Sequence, residues 1–161
     1  MQNDKMEIIN PPNTLKDKVR EGGPGAVDLA TLERAEKAIA DMSDSYLELV
    51  EEDLKRMDVA YKNLEQAETP RKEEAEAIFQ IAHDIKGQGG SFGYDLMTVI
   101  GNELCRLIER SDSFGSADVK AIKVHVDALK IVIKTGMKGD GGVNGQALVD
   151  GIRQVDDKLR K

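Results

Sequence analysis

The chain has 161 residues, a formal net charge of −7 and a single cysteine, and 33% of its residues are charged. This length is enough for one domain with a single core. The acidic balance argues against nucleic-acid binding, which needs clustered Lys and Arg. One cysteine allows no intrachain disulfide, and no apolar run approaches the roughly 18 residues of a membrane span. We therefore expect a cytoplasmic protein without a membrane association.

The first 27 residues show no periodic pattern. Pro11-Pro12 and the run 21–25, which holds three glycines and a proline, break any regular element. We predict an irregular N-terminal arm over 1–27, followed by a single helical domain over 28–161.

From Asp28 onward, apolar residues recur every three or four positions, and no segment alternates with the period of a strand. Asp28 is a suitable N-cap for a first helix over 28–41. Ser43 or Asp44 is suited to cap the next helix, and Pro70 is suited to the first position of the one after it. The pattern therefore predicts a chain of amphipathic helices.

Short loops between long amphipathic helices favour an antiparallel bundle. We predict an all-α fold whose four-helix core spans about 44–66, 70–89, 94–111 and 117–135. Two accessory helices, over 28–41 and about 146–160, are expected to pack at the ends or sides of this bundle.

The helix predicted over 70–89 carries a histidine away from its apolar stripe. On a helical wheel of about 100° per residue, His83 lies about 140° from Ile78, which marks the stripe. Lys86, Gly87 and Gly90 lie within about 60° of His83 on the same wheel. The pattern thus places an exposed imidazole beside one ammonium group and two residues without side chains.

Each of these residues suits the transfer of a phosphoryl group. An exposed histidine is largely the free base near neutral pH, so a ring nitrogen is available as a nucleophile. The ammonium of Lys86 can neutralise part of the charge that a phosphoryl group brings. Glycine costs about 1 kcal/mol inside a helix relative to alanine. Here it clears space for a second protein, which in-line phosphoryl transfer requires.

The same segment resembles the signature of histidine-phosphotransfer (HPt) domains. That signature has a histidine, a lysine three residues later, a glycine four residues later, a stretch of small residues and a Leu-rich helix. Residues 83–87, 91–93 and 104–109 carry the resemblance, which spans about 70–111. The segment 8–19 also resembles the leader of free-standing bacterial HPt proteins.

The resemblance implies that His83 is the phosphoacceptor and that Lys86 stabilises the phosphohistidine. We expect a receiver domain to dock over Phe79, Gly87 and Gly90. The implied partners are response-regulator receiver domains and a hybrid or upstream histidine kinase. The protein would be a phosphocarrier without an ATP site, kinase activity, small-molecule substrate or cofactor, since the Mg²⁺ belongs to the receiver.

Many HPt domains orient the histidine with a polar residue, often Gln, on the following helix. The matching position here is Cys105, which departs from that pattern. Asn102, one turn earlier, and Gln88 are further candidates for the orienting role, so three residues stay open.

Other functions fit the sequence less well. One alternative is a non-catalytic helical adaptor in which His83 is idle, and another is the detached phosphotransfer domain of a chemotaxis-type histidine kinase. A metal site from His83, His125 and Cys105 is rejected, because these residues fall on three predicted helices without ligand spacing. We interpret His125 as a structural or surface residue, since neither Lys nor Gly follows it at the spacing seen after His83.

Overall fold

The computed structural model describes residues 28–161, so the predicted arm over 1–27 lies outside the described residues. Within the described range, a 3-10 turn, Gly89–Phe92, connects the second helix to the third, and no strand occurs. The predicted all-α class is confirmed. The helices are α1 (Leu29–Gln66), α2 (Lys72–Gln88), α3 (Asp95–Glu109), α4 (Ser116–Thr135) and α5 (Gly142–Leu159). None of the helices within 28–161 combines the length and the hydropathy that a membrane crossing requires.

Residues Met42–Lys161 form one compact unit around an apolar core. In this unit α2 packs against α3, α3 against α4, and α5 against both α3 and α4. The ammonium of Lys130 on α4 lies 2.8 Å from a carboxylate oxygen of Asp58 on α1. Aliphatic side chains make up most of the core, together with two methionines and four of the chain's six Tyr and Phe residues. The largest fully buried side chains are Met57, Leu64, Ile78, Ile85, Met97, Ile100, Leu104, Leu107, Ile108, Ile122, Leu129 and Ile152.

The two helices predicted over 28–41 and 44–66 are a single helix, α1, so the predicted break between them is wrong. Asp28 does cap the start, because its carboxylate accepts a hydrogen bond of 2.6 Å from the Thr31 amide. Ser43 and Asp44 lie in the middle of the helix. No glycine or proline stands between residues 28 and 66, so nothing in the backbone ends the helix there.

The apolar side chains of residues 28–41 are exposed. Leu29 is 72% exposed and Ile39 is 67% exposed, and Leu32 is exposed as well. A repeat of apolar residues every three or four positions predicts a helix face, but it does not show what covers that face.

The starts of α2 and α5 differ from the prediction by a few residues. α2 begins at Lys72, and the amide of Arg71 donates a 2.8 Å hydrogen bond to the Glu74 carboxylate. The carbonyl of Pro70 accepts a hydrogen bond from Phe114 instead of opening the helix. α5 begins at Gly142, four residues before the predicted start.

The loop between α4 and α5 braces the turn that follows α2. The amide of Gly139 donates to the carbonyl of Gly93 at 2.6 Å, and the Gly139 carbonyl accepts from Leu96 at 3.3 Å. Gly93 has a φ of 77°, in the region that favours glycine. Phe92 stacks on the Tyr46 ring, with centroids 4.5 Å apart. These contacts fix the chain immediately after the helix that carries His83.

Candidate functional site

The helix α2 turns one face toward the core and leaves His83 on the opposite flank. Ile78, Ala82 and Ile85 are buried against the rest of the bundle. His83 follows Ala82 directly, and 59% of its side-chain surface is exposed. The spacing of the apolar residues therefore suffices to point the imidazole outward.

Two neighbours on α2 lie close to the imidazole. The ring of Phe79, one turn earlier, has its centroid 6.1 Å from that of His83, with the ring planes tilted by 31°. A carboxylate oxygen of Asp84 lies 4.0 Å from Nδ1 of His83. Both contacts leave most of the ring open to solvent.

The glycines after His83 divide into two kinds. A Cβ atom added at Gly87 would meet nothing within 4 Å, and one at Gly90 would make only ordinary contacts, the nearest at 3.7 Å from Thr98. A Cβ atom at Gly89 would instead lie 2.8 Å from the Tyr94 carbonyl oxygen. Gly89 is thus needed for close packing, whereas Gly87 and Gly90 leave open surface near His83.

Lys86 is half-buried in the groove between α2 and α3. Its ammonium donates a 3.4 Å hydrogen bond to the side-chain oxygen of Asn102 on α3. The structure therefore brings Asn102 to the ammonium rather than to the imidazole.

The other two candidates for orienting the imidazole lie elsewhere. Gln88 is exposed at the last position of α2. Cys105 is buried, with its sulfur 4.0 Å from the carbonyl oxygen of Phe79. Burial raises the pKa of the Cys105 thiol, and the Glu109 carboxylate adds to this, while the ammonium of Lys86 opposes it. Within residues 28–161, no hydrogen bond joins Gln88, Asn102 or Cys105 to His83.

Two residues of α3 contact the end of α2 without a signal in the sequence that predicts them as part of the site. The hydroxyl of Thr98 accepts a hydrogen bond from the Gly90 amide and donates one to the Lys86 carbonyl oxygen. A Cβ atom at Gly101 would lie 3.0 Å from Cβ of Lys86 and 3.1 Å from the Ala82 carbonyl oxygen. An isolated glycine inside an apolar helix indicates such a close approach, but the contacted helix cannot be read from it.

The second histidine has a different environment. His125 on α4 is fully buried, and its Nδ1 lies 2.8 Å from the Ala121 carbonyl oxygen. Its Nε2 lies 3.3 Å from a carboxylate oxygen of Asp156 on α5, without the alignment of a hydrogen bond. These contacts tie α5 to α4. No group of His, Cys, Asp and Glu side chains within 28–161 is arranged to hold a metal ion.

The fold and the site together define a helical-bundle module that presents one histidine on an open helix surface. The family model of the Hpt domain matches residues 41–133, more than half of the chain. The chain therefore belongs to the Hpt domain family, whose members are histidine-phosphotransfer modules of phosphorelays. Hpt domains are phosphocarriers without kinase activity, and they interact with receiver domains and histidine kinases. Comparisons with curated proteins and with solved structures gave no match.

Proposed function

We propose that His83 accepts a phosphoryl group from the aspartate of one receiver domain and passes it to the aspartate of another. The observation that carries this proposal is the open surface around the imidazole. The His83 side chain is 59% exposed, and the neighbouring Gly87 has free space where a side chain would stand. A second protein can therefore bring a phosphorus atom into line with a ring nitrogen.

The chemistry needs only the free base of the imidazole. The lone pair of a ring nitrogen attacks phosphorus, the bond from phosphorus to the aspartate oxygen breaks, and the carboxylate leaves with the bonding electrons. Transfer to the next receiver runs the same exchange in reverse. Lys86 supplies positive charge near the phosphorylated ring, since it lies one turn after His83 on the same helix.

We further propose that the receiver docks over Phe79, Gly87 and Gly90. Phe79 is partly buried against the core and keeps one side of its ring near His83. Gly87 and Gly90 are exposed, so a partner backbone meets no side chain at these positions. An apolar ring beside bare helix backbone suits the close approach of another protein.

The proposal assigns this chain no ATP site, no small-molecule substrate and no metal of its own. The Mg²⁺ that balances phosphoryl charge would belong to the receiver domain. The phosphorelay partners would include a hybrid or upstream histidine kinase, and the exchange would take place in the cytoplasm.

The test is phosphotransfer from a panel of receiver domains that have been labelled on their aspartates with radioactive acetyl phosphate. Wild-type protein should take up label that is stable to alkali and lost in acid. The His83→Gln variant keeps a polar side chain but has no imidazole, and it should take up none.

The outcomes separate the competing functions. Label that persists in His83→Gln rules out the proposed phosphoacceptor. Binding to a receiver without any uptake of label indicates a helical adaptor. Label that comes only from a kinase domain, and never from a receiver, indicates the detached phosphotransfer domain of a kinase.

A further inference from the structure

We propose that Thr98 is a positioning residue, which fixes the end of α2 and with it Lys86, whose ammonium lies one helical turn after His83. The inference rests on the proposed function, because the position of Lys86 matters only when His83 receives a phosphoryl group. It is carried by the contacts that α3 makes with the last turn of α2.

The hydroxyl of Thr98 is inserted between two backbone groups of α2. In an uninterrupted helix, the amide of Gly90 donates to the carbonyl of Lys86, four residues earlier. Here the Gly90 amide donates to Oγ1 of Thr98 at 3.1 Å, and this hydroxyl donates to the Lys86 carbonyl oxygen at 3.0 Å. α2 ends at Gln88, and the chain continues as a 3-10 turn. The side chain of Thr98 therefore helps to set where the histidine helix stops.

Two more residues of α3 contact Lys86. Gly101 allows the two helices to approach so closely that its missing Cβ would lie 3.0 Å from Cβ of Lys86. Asn102 accepts a 3.4 Å hydrogen bond from the ammonium. Thr98, Gly101 and Asn102 thus hold the carbonyl, the Cβ and the ammonium of one residue. We call these three residues the α3 cradle.

The α3 cradle holds Lys86 at both ends, at its backbone carbonyl and at its ammonium. A lysine side chain has many rotamers, and ordering it at the moment of phosphoryl transfer costs conformational entropy. A side chain already fixed at its backbone and at its tip avoids part of this cost. The Lys86 ammonium can stabilise phosphorylated His83 only while the α3 cradle keeps the ammonium close to that residue.

Thr98 suits this role because a hydroxyl both donates and accepts. Serine has the same two capacities, whereas alanine and valine have neither. Thr135 provides a matched control, because its hydroxyl also donates to a backbone carbonyl, that of Ile131 at 2.6 Å, but within α4. Loss of the Thr135 hydroxyl therefore removes a similar hydrogen bond without touching α2.

The experiment measures the equilibrium ratio of phosphorylated to unphosphorylated chain against one receiver domain that labels the wild type. A purely structural role would leave this ratio unchanged in the folded protein. We expect Thr98→Ala to lower the ratio about twofold to fivefold and Lys86→Ala to lower it at least as much. Thr98→Ser and Thr135→Ala should stay within about twofold of the wild type. Should Thr98→Ala fail to fold, Thr98→Val removes the hydroxyl and keeps the side-chain shape.

The double variant decides whether Thr98 acts through Lys86. If it does, adding Thr98→Ala to Lys86→Ala lowers the ratio no further, because the ammonium that Thr98 positions is already gone. A ratio unchanged by Thr98→Ala and Thr98→Val, or an effect undiminished in the Lys86→Ala background, overturns the inference. A wild-type chain that takes no label from any receiver refutes the proposed function instead.

Discussion

The two histidines of the chain lie on helices of the same bundle and have opposite surroundings. His83 on α2 is largely exposed, with Gly87 beside it and open space above. His125 on α4 is fully buried, with Nδ1 2.8 Å from a backbone carbonyl oxygen and Nε2 3.3 Å from a carboxylate oxygen of Asp156. Their positions relative to the apolar stripe of each helix explain why one imidazole is exposed and the other is buried.

The two environments also differ in what they contribute to the stability of the bundle. The surroundings of His83 contain exposed helical glycine, which lowers stability, and they leave the imidazole accessible. The surroundings of His125 use the ring to join α4 to α5, the helix that follows the region matched by the Hpt family model. We therefore expect a substitution at His125 to lower the stability of the fold, and a substitution at His83 to abolish phosphotransfer with little effect on stability.

The largest expected effect on stability breaks the buried pair. His125→Gln should lower the free energy of unfolding by about 2–4 kcal/mol, because it replaces a fully buried ring that fills the core between α4 and the Asp156 side chain of α5. His83→Gln should change it by less than about 0.5 kcal/mol, as for most surface substitutions. Urea unfolding followed by circular dichroism measures both values, and equal losses for the two variants would contradict the comparison.

The second prediction concerns the open glycine. Gly87→Gln should raise the free energy of unfolding by about 0.5 kcal/mol, because glycine is a poor helix former. It should also slow phosphotransfer from a receiver by on the order of tenfold, because a side chain then stands where the partner approaches.

Gly151 on α5 offers the matched control for this change. It is also helical, and a Cβ atom there would likewise meet nothing within 4 Å. Gly151→Gln should stabilise the fold by a similar amount and leave the transfer rate as in the wild type. Equal slowing in both variants would show that added bulk on a helix, rather than a blocked docking surface, reduces the rate.

The smallest expected effect concerns Cys105, which lies on the buried side of the α2–α3 pair that exposes His83. Burial raises the pKa of this thiol, so less of it is thiolate at a given pH than in the unfolded chain. The rate of alkylation by iodoacetamide should therefore reach its half-maximum at a higher pH in the native protein than in urea. Coincident pH profiles would mean that the thiol is not buried in solution.

Periodicity predicted most of the helical core and the exposure of His83. The apolar residues of α2 recur at helical spacing, and the outward direction of the His83 side chain follows from that spacing alone. The positions of Lys86 and Gly87, one turn after His83, follow from the same helix geometry, whereas Gly90 lies in the 3-10 turn that follows α2.

The remaining features depend on contacts between residues far apart in sequence. The predicted N-cap at Ser43 or Asp44 is not observed, because an N-cap residue begins a helix with a non-helical backbone, whereas both residues lie inside α1. The contacts of Thr98 and Gly101 with α2 require the relative register of two helices, which periodicity does not give. The burial of His125 against Asp156 depends in the same way on how α5 packs.

The most direct test of the central claim is to map the site of phosphorylation in the full chain. Wild-type protein is incubated with a phosphorylated receiver domain, digested at neutral or alkaline pH and analysed by tandem mass spectrometry. We expect one phosphorylated peptide, with the modification on His83 and an unmodified His125. Phosphorylation on His125 or on any residue other than His83 would contradict it.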